Sequence, residues 1–457
     1  MTTFTDIDGL VKKWNDYLEE GTPITNKHKR RVTAALLENA SREFRTASRE
    51  IGETQSLLED AVPPNSVGSG NVQNFDPVLI SLIRRSAPNL MAFDMCGVQP
   101  LAGPNGLIFA LRSMYANSSN AAIAEAHYNE VNTAWTSVVT GANTLGQKHT
   151  GYLPSNGTSH ANLASLGIYN FAGGMSTAQG EALGTDGNAA IAEMSLTIDK
   201  VTAIAKERKI AAGYTLEMAQ DMKSVHGLDA EGEISSMLTT EVLAEINREI
   251  IRTINVSAKA GAQSGTVTPG VFDLDTDSNG RWMVERFKGL MFHIDKECNR
   301  IAKETRRGKG NMLICSADVA SALQMAGILD YTPALNSNNL EVDDTGNTFA
   351  GVLNGRIKVY IDPYADDLLN NTAGLNYLTV GYKGANPMDS GIFYCPYVPL
   401  QKVRAVNPGS FHPRIGFLTR YAVVANPFSQ GLNRTNPGDI VKDSNCYYRR
   451  NIITNLT

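Results

Sequence analysis

The sequence predicts an α+β fold. Apolar residues recur at helical spacing near the N-terminus, after Asp229 and after Arg281, and shorter alternating or wholly apolar runs between and beyond them read as strands. Helices and strands alternate in no uniform order and no internal repeat appears, which separates this chain from βαβ folds and from solenoids. With 457 residues it is longer than one compact core needs, so two or three domains are expected.

Residues 1–59 read as a helical leader. Leu10, Val11, Trp14 and Leu18 fall on one helical face, and Val32, Leu36, Ala40, Phe44, Ala47 and Ile51 on another, with Pro23 between. Charges such as Lys27, Lys29, Arg30 and Arg31 crowd the other faces. Two readings stay open: a helical hairpin docked on its own body, or a detachable segment that binds a partner. Residues 60–77 (DAVPPNSVGSGNVQNFDP) have the composition of an extended arm. A short helix is expected after Val78, stopped near Pro88, and a strand over 109–115 (FALRSMY).

Residues 116–190 are rich in Ala, Asn, Ser, Thr and Gly and poor in large apolar side chains. Such an excursion buries little by itself, so neighbouring subunits are expected to hold it. Thr215 is placed to cap a helix ending near Val225, with Gly227 at its C-terminal cap. Asp229 opens a longer helix on which Ile234, Leu238, Val242, Ile246, Ile250 and Ile254 recur every fourth residue. Each step of four drifts by about 40°, so the stripe winds around the helix. Met237, Leu243 and Ile251 widen it, and the expectation is a spine clasped between layers. Residues 281–305 read as a further helix, and 312–316, 358–362, 378–382, 392–400 and 417–424 as strands.

Bulk properties exclude several functions. The formal net charge is -5 and charged residues are 19% of the chain, too acidic and too sparse for a protein that reads nucleic-acid sequence. No apolar run approaches the roughly 20 residues that span a bilayer, and the first residues lack the layout of a secretory signal, so folding in a cytoplasm is expected. The five cysteines, Cys96, Cys298, Cys315, Cys395 and Cys446, are scattered and form no C-x-x-C pair, as buried free thiols would be.

Motifs for chemistry fall short. Arg306-Arg307-Gly308-Lys309-Gly310 lacks the spacing of a phosphate loop and reads as cations ending a helix at its negative pole. The stretch from Gly308 to Leu313 has Leu where a dinucleotide fingerprint needs its last Gly. Residues 275–280 (DTDSNG) match the first half of a calcium loop. Arg286 occupies the position of the bidentate Glu, and Glu285 comes one residue early, so a polar turn is the better reading. His226 and His293 read as capping or satisfied residues, and Lys148 as a solvated side chain. No catalytic, cofactor-binding or metal-binding residue is assigned.

From Asp76 the chain reads DPVLISLIRRSAPNLMAFDMCGVQPLAGPNGLIFALRSMY, and this block closely resembles the major capsid proteins of T-even-type, contractile-tailed bacteriophages. The resemblance returns in KERKIAAGYTLEMAQDMKSVHGLDAEGEI, RWMVERFKGLMFHIDKE, FAGVLNGRIKVYIDPYA, VGYKGANPMDSGIFYCPYVPL and GFLTRYAVVANPF. It is slight over 116–205 and 316–347, and the leader matches only in character.

The resemblance implies the HK97-type capsid fold. Its parts would be an N-terminal arm with the start of the body over 60–106, an extended loop over 107–205, and a peripheral domain with the spine over 206–270. A mainly axial domain would cover 271–400, with a return to the peripheral domain over 401–457. It also implies removal of the leader by a phage protease that cuts after Glu in the context aliphatic-any-Glu. Leu57-Leu58-Glu59 before Asp60 is preferred, because it joins the leader to an accessible linker. Ile51-Gly52-Glu53 before Thr54 is the second choice.

The implied function is a structural protein, not an enzyme, which self-assembles as hexamers into an icosahedral shell around DNA. Implied partners are copies of itself, a pentameric vertex protein, a scaffold, the maturation protease, decoration proteins and packaged DNA held without sequence reading. The rivals are the vertex paralogue of the same fold, a bacterial nanocompartment shell protein and an enzyme of unrecognised type. The leader argues against the second.

Overall fold

The computed structural model describes residues 7–19, 24, 26–50, 90–116, 122–126, 131, 135–136, 147–148, 171–172, 177–185, 191, 193–263, 265–278, 280, 282–326, 329–331, 348–362, 364–365, 376–407, 409, 412–430 and 438–456. Contacts divide the chain into two units, one of Met1–Ile108 with Val201–Thr457 and one of Phe109–Lys200. The architecture is α+β, as expected.

The larger unit is organised by the helix Ala230–Ser257. The Asp229 carboxylate accepts from the Gly232 N–H at 3.2 Å and satisfies one of the free donors of the first turn. Before it, Thr215 caps Leu216–Asp221 by accepting from the Met218 N–H. That helix widens into a π turn, Met222–His226, and stops at Gly227, whose φ of 68° is left-handed. The long helix touches Lys206–Gly213 and Pro413–Ala425 of one sheet and Asn445–Thr454 of another, so it links two layers.

The enclosure is narrower than the sequence predicts. Leu238, Val242, Ile246, Ile250, Ile251 and Ile254 are buried, but Met237 is 62% exposed and Ile234 and Leu243 are half-buried. Only the C-terminal half of the helix is clasped.

Among the described residues the first sheet has four strands, in the order Gly97–Val98, Ile392–Val406, Pro413–Ala425, Lys206–Gly213. Its centre is the long antiparallel pair Ile392–Val406 and Pro413–Ala425. The second sheet runs Leu329–Tyr331, Thr348–Leu353, Ile357–Ile361, Met312–Cys315, Asn376–Gly381, Asn445–Thr454, Ala258–Ala260, and Val271–Asp273 also pairs with Asn445–Thr454. Met312–Cys315 is buried at all four positions and pairs in parallel with Ile357–Ile361. The helices Met283–Thr305 and Ala317–Met325 pack near it. A continuous apolar run is what a strand covered on both faces needs.

The leader lies in this unit. Ile7–Lys13 and Asn15–Glu19 fold back on Lys27–Glu50, and Trp14, Leu18, Val32, Leu36 and Ala40 join the main core. The leader's helices are thus docked on the body. The arm over 60–77, the short helix after Val78 and most of the excursion over 116–190 lie outside the described residues.

The smaller unit holds a ribbon in the order Ala122–Glu125, Asn105–Ala116, Glu193–Ile204, whose two long strands continue into the larger unit, and a small pair, Gln147–Lys148 with Phe171–Ala172.

Candidate assembly surfaces

A protein that closes into shells needs surface that its own chain does not cover. The ribbon of the smaller unit supplies such a surface, and its origin is the two-residue period of a strand. On Asn105–Ala116 the side chains of Ala110, Arg112 and Met114 are buried. Arg112 pairs with Asp199 of Glu193–Ile204 at 2.7 Å, which fixes that face of both strands as the inner one. The opposite face then carries Phe109 and Leu111 from one strand and Met194, Leu196 and Ile198 from the other. Phe109 is 60% exposed and Leu196 62%. Five large apolar side chains on adjacent strands form a contiguous exposed patch, which a monomer rarely leaves in water. Tyr115 and Trp135 pack at 4.8 Å at one end of the ribbon, and the Trp135 indole N–H donates to the Glu193 carbonyl at 3.3 Å.

The second surface is a groove in the larger unit, between the spine helix, the strand Ile392–Val406 and residues 90–95. The leader helix lies in it. Asn26 starts that helix, accepting from the His28 N–H through its side chain. Its buried Asn39 donates through Nδ2 to the carbonyls of Leu101 at 2.7 Å and Tyr397 at 2.9 Å. On the far side, Glu38 receives Lys13 at 2.6 Å and the Trp14 indole at 3.3 Å. Burial alone would raise the Glu38 carboxyl, but Lys13 and Trp14 hold it below its ordinary value. His28 lies by Phe93 and is pushed down by burial, with Lys383 and Arg31 adding to it.

The motifs tested for chemistry are all spent on the fold. Arg286 is ion-paired to Asp275, and both Asp277 oxygens accept backbone N–H groups, from Val267 at 2.9 Å and Asp273 at 3.0 Å. The calcium-like loop is therefore a self-satisfied polar turn. Arg306 takes a left-handed φ of 54° at the end of Met283–Thr305. Arg307 reaches Asp389 at 3.2 Å, and Lys309 reaches Asp295 at 2.7 Å. His226 is exposed at the end of the π turn.

His293 is buried, stacks on Phe272 at 4.4 Å and is hydrogen-bonded through Nε2 to the Asn451 side-chain amide at 3.0 Å. Burial, with Lys296 and Arg300, lowers it to about 4. All five cysteines are free and buried, and burial pushes Cys96, Cys298, Cys315 and Cys395 up to about 12. No group of three or more metal-ligating side chains occurs among the described residues, and no helix among them is long and apolar enough to cross a membrane.

Glu59 and Asp60, with Glu53 and Thr54, lie outside the described residues. Lys148 pairs through its backbone with Phe171. Sequence reasoning missed the exposed face of Glu193–Ile204, although its alternation of Met194, Leu196 and Ile198 with polar neighbours was there to be read.

Residues 72–453 match the family "Major capsid protein Gp23". The major capsid protein of Serratia phage KSP90 is 39% identical over 447 residues, 95% of this chain and 96% of that protein. That of Enterobacteria phage T4 is 36% identical over 486 residues, 92% of each. The capsid vertex protein of T4 is more distant, 29% identical over 259 residues, 52% of this chain and 54% of that protein. Among solved structures, the capsid of Myoviridae phage XM1 covers 79% of this chain and 91% of its own at 9% identity, with a TM-score of 0.37.

Proposed function

The chain belongs to the Gp23 family of major capsid proteins of tailed phages, and from that premise we propose how it builds the virion capsid. Copies close into hexamers by heterologous head-to-tail contacts, which form rings when the rotation closes. The single observation that carries this reading is the uncovered apolar face of the ribbon, Phe109, Leu111, Met194, Leu196 and Ile198. Laid on a neighbour, it buries surface that costs free energy in water, at about 25 cal/mol per Å². Several such contacts per subunit make the shell effectively irreversible, because each subunit is held in several places.

In the HK97-type layout, residues 60–106 would be the arm and start of the body, 107–205 the extended loop, 206–270 and 401–457 the peripheral domain and 271–400 the axial domain. The spine helix linking two sheets supports that layout. The chain acts structurally, with no catalytic step of its own, and assembly takes place in the host cytoplasm. A vertex protein would fill the pentameric corners, a scaffold would template the shell, and decoration proteins would bind its outside. DNA would be enclosed without being read, because an acidic protein gains little from phosphate contacts. The leader would be cut by the maturation protease between Glu59 and Asp60, or failing that between Glu53 and Thr54.

Imaging and intact-mass analysis of infectious particles tests the reading. The expected result is closed icosahedral shells in which this chain is the most abundant protein and begins at Asp60. A few copies per particle would indicate the vertex role instead, and a chain beginning at Met1 or Thr2 would end the cleavage proposal.

A further inference from the structure

Ten consecutive residues of the leader helix, 32–41, are buried. A helix lying on a surface buries one stripe; a helix enclosed all round is part of a core. Trp14 and Leu18 close one side of it, and the body closes the other. The contact with the body is polar as well as apolar. Tyr397 is the extra residue of a bulge: Pro396 pairs with Tyr421 and Val398 with Arg420, which leaves Tyr397 without a cross-strand partner there. Its carbonyl, together with that of Leu101, receives the two amide hydrogens of Asn39. The body thus presents a groove with two aimed acceptors, and the leader presents the one side chain that satisfies both.

Elsewhere along the leader helix the packing against the body is incomplete. A cavity of about 30 Å³ remains between Val32 and Leu36 of the leader and Phe93, Ile246, Tyr394 and Pro396 of the body. The cavity is lined mainly by apolar side chains and is partly open, so the seam is looser than the interior of one continuous core.

We propose that this groove is a helix-binding site whose ligand is the chain's own leader, and that the leader stays bound there without a covalent link after the chain is cut. Cutting the connecting segment removes none of the contacts of residues 7–42 with the body. It changes the leader from a tethered to a free ligand, and separation then depends on breaking the groove. A subunit that has been cut therefore carries its leader until a change of shape opens the site. The groove is a point at which shell formation can be coupled to leader release.

The test uses the full-length chain with a site-specific protease sequence substituted over residues 54–60. It therefore does not depend on the natural protease or on shells forming. The purified chain is cut to completion and passed over a sizing column, and fractions are analysed by mass spectrometry. The expected result is that leader and body elute together in equal amounts. Leader eluting apart from a folded body would overturn the proposal. In the same experiment Asn39→Ala removes both donors while keeping the helix, and should raise the released fraction about tenfold or more. Release unchanged from the parent would remove the latch from the account. If Asn39→Ala does not fold before cutting, Val32→Ala, which enlarges the cavity, takes its place with the same expected direction.

Discussion

His293 shows how a buried polar side chain ties the fold to pH. Its ring is fixed between Phe272 and the Asn451 amide, in a buried place where a charged imidazolium loses its hydration. Burial comes first among the causes that lower it to about 4, from an ordinary value of 6.5. The folded value lies below the unfolded one, so between these limits the unfolded chain binds more protons. Stability is then whole above pH 6.5 and is lost as pH falls toward 4, by about 3 kcal/mol over the window. Urea unfolding of the parent and of His293→Gln from pH 7 to 4.5 should show the parent losing stability relative to the variant as pH falls. Parallel profiles would contradict this role. The sequence supported only the statement that such a histidine is satisfied within the fold. Its partners come from residues 272 and 451, and no local pattern connects them.

Elements with a strong local code were legible. The Thr215 and Asp229 caps, the Gly227 stop and the fourth-residue stripe of the spine are short-range signals, and the structure has them all. Beyond several strands of two to four residues, four longer ones were missed because tertiary context overrides their pattern. Lys206–Gly213 (KERKIAAG) is charged because it is an edge strand with its side chains largely in water. Asn445–Thr454 (NCYYRRNIIT) looks polar because Arg449 and Asn451 are buried in a network, Arg449 pairing with Glu297 at 3.4 Å and also with Glu304. Thr348–Leu353 took its place from its neighbours Leu329–Tyr331 and Ile357–Ile361, and Glu193–Ile204 from Asn105–Ala116. The latter strand gives the prediction at this scale. Leu196→Asp with Phe109→Ser changes only exposed positions, so the subunit should fold with an unfolding midpoint within a few degrees of the parent. Charge on that face should prevent closed shells under conditions in which the parent forms them. Normal shells from the double variant, seen by electron microscopy, would show that the ribbon face is not an assembly contact.

At the scale of the whole molecule, the same chain holds a buried apolar interior and an unfinished exterior. One apolar core runs from the leader through the spine to the second sheet, and Arg449 pairs with Glu297 and Asn39 with the Leu101 carbonyl inside it. The ribbon has a matched inner face and an unmatched outer one. That contrast is what a shell protein requires, because each subunit must be stable before it meets its neighbours and incomplete until it does. The most direct measurement is hydroxyl-radical footprinting, read by mass spectrometry, of Phe109, Leu111, Met194, Leu196 and Ile198 in free subunits and in assembled particles. Strong labelling in the free subunit and marked protection in particles is the predicted result; equal labelling of these side chains in both would contradict it.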